Sequence, residues 1–372
     1  MTVTRAARQP ASFENKEYIR IESYTKPLED YPEIQSRLWK ILQNGHFEEQ
    51  YARQNLELAE ALSLLGHGAF FDMMGIPQPT TLEGVAYQLT EQGCLVKQDN
   101  ALYAITNLGA ILFAERLADF SRLSLKAPRI VQYEGTNRRV TLKDKIATGG
   151  DALEFETWID FIEALLPSEE SVNFVFREMK KTYPTITIHE ALANALIRQD
   201  FGITGRRVTV EIFSNRIEIT NPGSPLIDTF RAIGNPPRTR NENLAGLMRR
   251  LRICEEMGTG WDKIVLACEL NLLPAPRIGI YEGGTRAVLF AGKPFSGFSL
   301  EERLRACYLH ACIKFVQGEY LTNVSLRERL GLPKSYSGTI SHLIKEAVDE
   351  NYIRPFDPNT APRYMKYQPV WA

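Results

Sequence analysis

The sequence predicts an α+β protein: a layer of helices against a mostly antiparallel sheet in the middle of the chain, with winged-helix-like units on either side. Three observations carry this. Ala152–Leu166 and Ile188–Arg198 have the spacing of amphipathic helices, the first with Phe155, Trp158, Ile162 and Leu165 on one face. Arg207–Phe213 and Arg216–Thr220 alternate like strands and meet at Ser214-Asn215, a hairpin turn. Toward each end, helices are followed by two short strand-like runs.

Taken in order, Tyr18–Tyr24 alternates as a strand and Pro32–Gln43 places Ile34, Leu38 and Leu42 at helical spacing. Phe47 to Met74 reads as helical. Thr81–Gly93 reads as a helix with a Thr cap and a closing Gly. Leu95–Thr106 reads as strand, Asp-Asn turn, strand; Asn107–Ala118 as a helix; and Ala127–Tyr133 as a strand before the Glu134–Arg139 loop. After the hairpin, Leu244–Leu251 and Trp261–Leu270 are helices and Thr285–Phe290 closes the sheet. Pro294–Gly297 is a linker. Leu300–Gln317, Ser325–Leu330 and Tyr336–Asn351 are then helical, with Tyr352–Pro355 and Arg363–Tyr367 as strands of a wing. The expected division is 1–46, 47–170, 171–295 and 299–372.

The chain has 372 residues, 44% hydrophobic and 24% charged, the proportions of a soluble globular protein of two or three domains. A net charge of -1 excludes a globally basic nucleic-acid coat protein, though not a local basic face. No run approaches the ~20 apolar residues of a membrane span, and Met1–Phe13 lacks the apolar core of a signal peptide, so the expected location is cytoplasmic, without a membrane partner. The five cysteines match no zinc or redox spacing and read as reduced thiols; with five scattered histidines, no His/Cys metal site is expected.

Glu190 and Asn194 lie four apart, on one face of a helix without internal Gly or Pro. An Asn amide oxygen can complete the shell of a Mg²⁺ held by a triphosphate, and a Glu one turn earlier can orient or deprotonate a water. The same spacing also fits a solvated helix surface. Downstream, Asn221-Pro222-Gly223 follows a strand, and Gly258-Thr259-Gly260 opens onto a helix N-terminus, where phosphate is favoured. No G-x-x-x-x-G-K-[ST] run is present, which argues against a P-loop ATPase or helicase motor.

The runs EALANALIRQDF, VTVEIFSNRIEITNPG and PPRTRNENLAGLMRRLRICEEMGTGWDKI together resemble the RecG-like, Schlafen/AlbA-associated family of bacterial ATP-binding transcriptional regulators, over roughly Phe70 to Phe295. The resemblance implies a GHKL-like ATP-binding domain of the gyrase, heat-shock chaperone, histidine-kinase and MutL class, with ATP and Mg²⁺ as cofactors. It implies Glu190 as the water-activating residue and Asn194 as the Mg²⁺ ligand. Asn221 and Gly223 would stand where that class uses Asp-x-Gly for adenine, and Gly258, Thr259 and Gly260 would approach the phosphates. Arg238 and Arg240 are candidate phosphate or lid contacts, or surface arginines. The chain departs from the family at Asn221, in place of Asp, and at Arg198-Gln199-Asp200-Phe201, where His-Arg-Asp-Tyr is usual. YIRIESYTKPLEDYPEI resembles the end of the family's Schlafen/AlbA-like domain. Only that tail is expected here, so Glu14, Glu17 and Glu22 read as solvated charges and a nuclease ranks last.

In 299–372, ten Lys/Arg stand against eight Asp/Glu. The pattern is more telling than the charge: Ser325–Leu332, a turn at Gly331 and the Ser335–Asn351 helix read as a helix-turn-helix. Lys334, Ser335, Tyr336 and Ser337 at its N-terminal turn, with Arg354 and Arg363 on the wing, are the candidate DNA contacts; a protein-docking role for the same unit stays open. Arg249, Arg250 and Arg252 form a second basic group at a helix end. The expected function is a DNA-associated regulator switched by ATP. The alternative is a nucleotide-free scaffold or assembly component, with a defence system as one setting for it. A homodimer through exposed strands is compatible with both.

Overall fold

The computed structural model describes residues 12–13, 16–21, 24–43, 46–166, 168–173, 176–236, 238–254 and 260–372. The chain begins with a three-stranded antiparallel sheet, β1 (Ser12–Phe13), β2 (Lys16–Ile21) and β3 (Tyr24–Pro27), followed by α1 (Pro32–Gln43). The single strand expected over Tyr18–Tyr24 is a hairpin instead: Ile21 pairs with Tyr24. Glu14 and Glu22 lie outside the described residues.

The next unit contains β4 (Tyr51–Leu56), α2 (Leu58–Ser63), α3 (His67–Met74), α4 (Leu82–Glu91), β5 (Leu95–Lys97), β6 (Tyr103–Thr106) and α5 (Asn107–Phe113), with sheet order β4-β6-β5. The helix expected from Phe47 therefore starts only at Leu58. Tyr51–Leu56 pairs with β6, and Asn55 adopts φ +60° with its N–H donating to Gln98 Oε1 at 2.9 Å, a conformation no helix interior accepts. The Thr81 hydroxyl caps α4, accepting from Gly84 N at 3.1 Å. At Gly109 the helix α5 meets the Cys94 carbonyl so closely that a Cβ would lie 2.3 Å from its oxygen.

The central unit comprises β7 (Arg129–Tyr133), β8 (Thr141–Ile146), α6 (Asp151–Leu165), β9 (Ser168–Asn173), β10 (Phe176–Lys181), α7 (Thr185–Arg198), β11 (Thr209–Ile212), β12 (Arg216–Pro222), α8 (Glu242–Arg250), α9 (Gly260–Leu270), β13 (Arg277–Tyr281) and β14 (Gly284–Phe290). Six strands form one sheet in the order β13-β14-β12-β11-β7-β8, antiparallel except for β7 beside β11; among the described residues β9 and β10 pair only with each other. Strand alternation turns Val210, Ile212, Ile217, Ile219 and Leu289 into one core with Ile188, Leu192, Leu196, Ile264 and Val265 of α7 and α9. Each of these ten residues is almost fully buried. Burial of an aliphatic side chain stabilises by about 1.5–3 kcal/mol, and this contact accordingly holds the helical layer on the sheet.

The chain ends in α10 (Leu300–Val316), α11 (Asn323–Arg329), α12 (Ser337–Asp349), β15 (Ile353–Pro355) and β16 (Tyr367–Pro369), the last two an antiparallel ribbon. Ser299 and Glu302 form a reciprocal capping box at the start of α10. The observed class is α+β. Among the described residues no helix is long and apolar enough to cross a membrane. All five cysteines are free, four of them buried and Cys254 partly so.

Candidate functional site

Helix α7 brings Glu190, Asn194 and Arg198 to one face, four residues apart, looking toward the start of α9 and the end of β12. The Asn194 Nδ2 donates to the Glu190 carbonyl at 2.7 Å. That bond fixes the amide plane, and among the described residues no donor reaches the Asn194 Oδ1 or the Glu190 carboxylate. Glu190 is only 4% exposed, and burial pushes its carboxyl above the ordinary range, against the lowering influence of Lys263 and Arg198.

Gly260 opens α9 directly against this pair. A Cβ there would lie 2.6 Å from Glu190 Oε2 and 2.7 Å from Asn194 Nδ2, so the approach depends on glycine. The helix N-terminus favours the carboxylate beside it. A phosphate arriving at the same place would repel Glu190 unless a cation lay between them, and the open Asn194 oxygen is suited to hold one. Gly258 and Thr259 lie outside the described residues.

Across the cleft, β12 ends with Asn221 opposite Thr285 and Pro222 opposite Gly284. Asn221 is 5% exposed and donates through Nδ2 to the Pro222 carbonyl at 3.1 Å. Gly223 has φ +96°, and a Cβ on it would come within 2.8 Å of Asp200 Cβ and 3.2 Å of the Arg240 guanidinium. Arg240 donates to the carbonyls of Arg198 (3.0 Å) and Ser224 (2.6 Å), tying the end of α7 to the segment after β12. It therefore acts as a brace in this state. Arg238 is exposed beside Glu242 and Arg249 and also borders the cavity below Leu226 and Ile227.

The cleft itself is narrow. The volume between Asn194, Arg198, Asn221, Trp261 and Ile264 is about 30 Å³, and a neighbouring one under Leu226 and Ile227 is also about 30 Å³. Each has room for a water or two, far below the ~300 Å³ at which small-molecule sites begin. Two fillers were not anticipated from sequence. Trp261 is 6% exposed and lines both volumes, as does Arg198, whose buried Nε has no hydrogen-bond partner and whose charge burial disfavours. The only signal for Arg198 is its place one turn beyond Asn194.

Residues 205–289 match a family model described as "Putative ATP-dependent DNA helicase recG C-terminal". The match runs from the turn before β11 to the end of β14, taking in Asn221, Gly223, Arg238, Arg240 and Gly260 and leaving α7 outside. Among solved structures, the DIP2311 protein from Corynebacterium diphtheriae has a similar fold, with TM-score 0.52 and 14% identity over 91% of this chain. This chain spans 66% of that one. No curated protein matches.

The other sequence candidates belong to the C-terminal unit. Lys334, Ser335 and Tyr336 form one exposed 3-10 turn leading into α12, whose first residue is Ser337. Asn323 fixes that entry, donating through Nδ2 to the Ser337 carbonyl at 2.9 Å and accepting from its hydroxyl at 3.2 Å. Arg354 lies on β15, where it donates to the Ala372 carbonyl, and Arg363 is exposed on the turn between β15 and β16.

Proposed function

We propose that the central unit binds ATP with Mg²⁺ between α7, α9 and the end of β12, and that occupancy repositions the C-terminal unit as a DNA-binding module. The observation that carries this reading is the Glu190–Asn194 pair at Gly260. A carboxylate and an amide oxygen, both without donors among the described residues, stand one turn apart at a helix N-terminus. Mg²⁺ would be held by Asn194 and triphosphate oxygens; Glu190 would orient a water for slow hydrolysis. The match over 205–289 to a family described as ATP-dependent supports nucleotide as the ligand.

The narrow cleft makes opening part of binding. Trp261 and the segment 225–236 must shift to admit a base, and that segment is fastened to the C-terminal unit. Phe230 stacks on Tyr308 of α10 with centroids 4.4 Å apart, its carbonyl accepts from the Tyr308 hydroxyl, and Trp371 Nε1 donates to the same hydroxyl at 2.9 Å. On the other side Gly234 N donates to the Asp262 carboxylate of α9 at 3.2 Å. Moving the segment changes these contacts, which supplies the difference between two states that a ligand switch requires. The exposed turn at Lys334–Tyr336 with Ser337, Arg354 and Arg363 is the proposed DNA face.

The filled cleft also favours a second reading, a scaffold that binds no nucleotide and uses the same core to hold the C-terminal unit. Titration calorimetry with ATP and a non-hydrolysable analogue, with and without Mg²⁺, on the wild type and Asn194→Ala separates the two. The nucleotide reading expects Mg²⁺-dependent binding that the substitution weakens by roughly tenfold or more. Absence of binding at millimolar ATP supports the scaffold.

A further inference from the structure

The face of the sheet turned away from α7 and α9 carries a second polar site. Because Val210, Ile212, Ile217 and Ile219 point into the core, Glu211 of β11 and Glu218 of β12 point the other way, and they are direct cross-strand partners. Two carboxylates so placed repel, yet they are only 7% and 5% exposed. Arg138 spans them, donating to Glu211 at 2.5 and 2.8 Å and to Glu218 at 2.8 Å. Arg286 of β14 lies 2.7 Å from Glu218, and Arg216 donates to it at 2.6 Å. Three guanidinium groups on two carboxylates leave this floor with an excess of positive charge.

Above the floor lies an open basin of about 460 Å³, bordered by Arg129, Arg138, Arg206, Arg207 and Arg286, with Glu282 the one acid on its rim besides Glu211 of the floor. Arg129 is committed to Asp144, at 2.8 Å through Nε. Among the described residues neither Arg206 nor Arg207 makes an ion pair with an acid, and Arg207 only adds to the field by which Arg129 holds the Asp144 carboxyl down. Among the described residues they reach only the main-chain carbonyls of Glu282 and Ala127. Two tight turns hold Arg206 at the rim: Gly205 at φ +71°, and Glu282-Gly283 at φ +47° and +76°. Arg206 and Arg207 both border the basin over an already positive floor, so a bound anion is favoured there; the planar fork of Arg matches phosphate oxygens in pairs.

We infer that this basin binds a phosphate-bearing ligand, with its anionic oxygens on Arg206 and Arg207. The volume suits a single nucleotide-sized group, free or as one unit of a single strand. The inference does not rest on the nucleotide cleft, which opens on the other face of the sheet and shares with the basin only Asn221 at the end of β12.

The test is titration of the full chain with inorganic pyrophosphate, with AMP and with a short oligothymidylate. The wild type, Arg206→Ala/Arg207→Ala, Arg206→Ala alone and Asn194→Ala are compared. Pyrophosphate binding is expected to weaken tenfold or more in the double variant, less in the single one, and to stay unchanged in Asn194→Ala. The single variant touches only an exposed side chain and keeps the comparison usable if the double variant misfolds. Tighter, salt-dependent binding of the oligonucleotide identifies a strand as the source of the phosphate, whereas equal binding of AMP and pyrophosphate identifies a small phosphorylated molecule. Undiminished pyrophosphate binding in both arginine variants, or no binding of any of the three by the wild type at millimolar concentration, overturns the inference.

Discussion

Glu269→Ala is expected to loosen the C-terminal unit from the central one. Near the end of α9, Glu269 Oε2 lies 3.1 Å from His310 Nδ1 of α10, and Oε1 lies 3.2 Å from Arg329 Nε of α11. The three side chains are 9%, 6% and 2% exposed, and Arg329 Nη2 also donates to the Leu273 carbonyl at 2.9 Å. The Arg329 Nε contact is close but off line for a hydrogen bond, so it acts as an ion pair in a poorly solvated place. Removing the carboxylate strands a buried guanidinium, which costs about 3–5 kcal/mol; the imperfect geometry favours the lower figure.

With an unfolding entropy of about 2.1 cal/mol/K per residue, a loss of ~3 kcal/mol lowers Tm by about 4 °C if all 372 residues unfold together. If 299–372 unfolds as its own unit, the same loss lowers that transition by about 20 °C. Differential scanning calorimetry reads both cases. The double variant Glu269→Leu/Arg329→Met, which removes the charges together, is expected to recover most of the loss. A Tm within 1 °C of wild type for Glu269→Ala, or a double variant as unstable as the single, would refute the reasoning.

Two further outcomes follow from single side chains. Burial holds the Asp151 carboxyl up at about 8, with Glu154 adding to the shift, against an ordinary 3.8. Its proton is thus favoured in the folded state, and stability contributed below pH ~4 is lost as pH rises through 8, partly offset by the N-terminus of α6. Asp151→Asn should therefore gain Tm over wild type as pH goes from 5 to 8, and a gap constant with pH would contradict this. Gly260→Ala should displace Glu190 and Asn194 and abolish Mg²⁺-dependent nucleotide binding while changing Tm little, since the clashing atoms are side-chain ends; calorimetric titration showing wild-type affinity would speak against the site.

How far the sequence reaches can be seen element by element. Helices α1, α4, α7, α9 and α12 and the β11–β12 hairpin are readable because their signals are local: apolar spacing, the Thr81 cap, a two-residue turn. β4, β8 and β13 are not. β4 is set by pairing with a strand about fifty residues away, and β8 is exposed along almost its whole length, so no alternation marks it. The spacing of Glu190 and Asn194 can be read directly. The closeness of the cleft cannot, because it depends on where Trp261 and Arg198 come to rest. The Glu211–Glu218 pair is likewise invisible as a unit, since Arg138, which neutralises it, comes from a loop 73 residues before Glu211.

Hydrogen–deuterium exchange of the full chain with and without ATP and Mg²⁺ tests the central claim most directly, because it locates any binding as well as detecting it. Slowed exchange in 185–198, with altered exchange in 225–236 and at the start of α10, and loss of these changes in Asn194→Ala, is the predicted result. No change at millimolar nucleotide, or changes confined to the turns around Gly205 and Gly283 on the other face of the sheet, would contradict it.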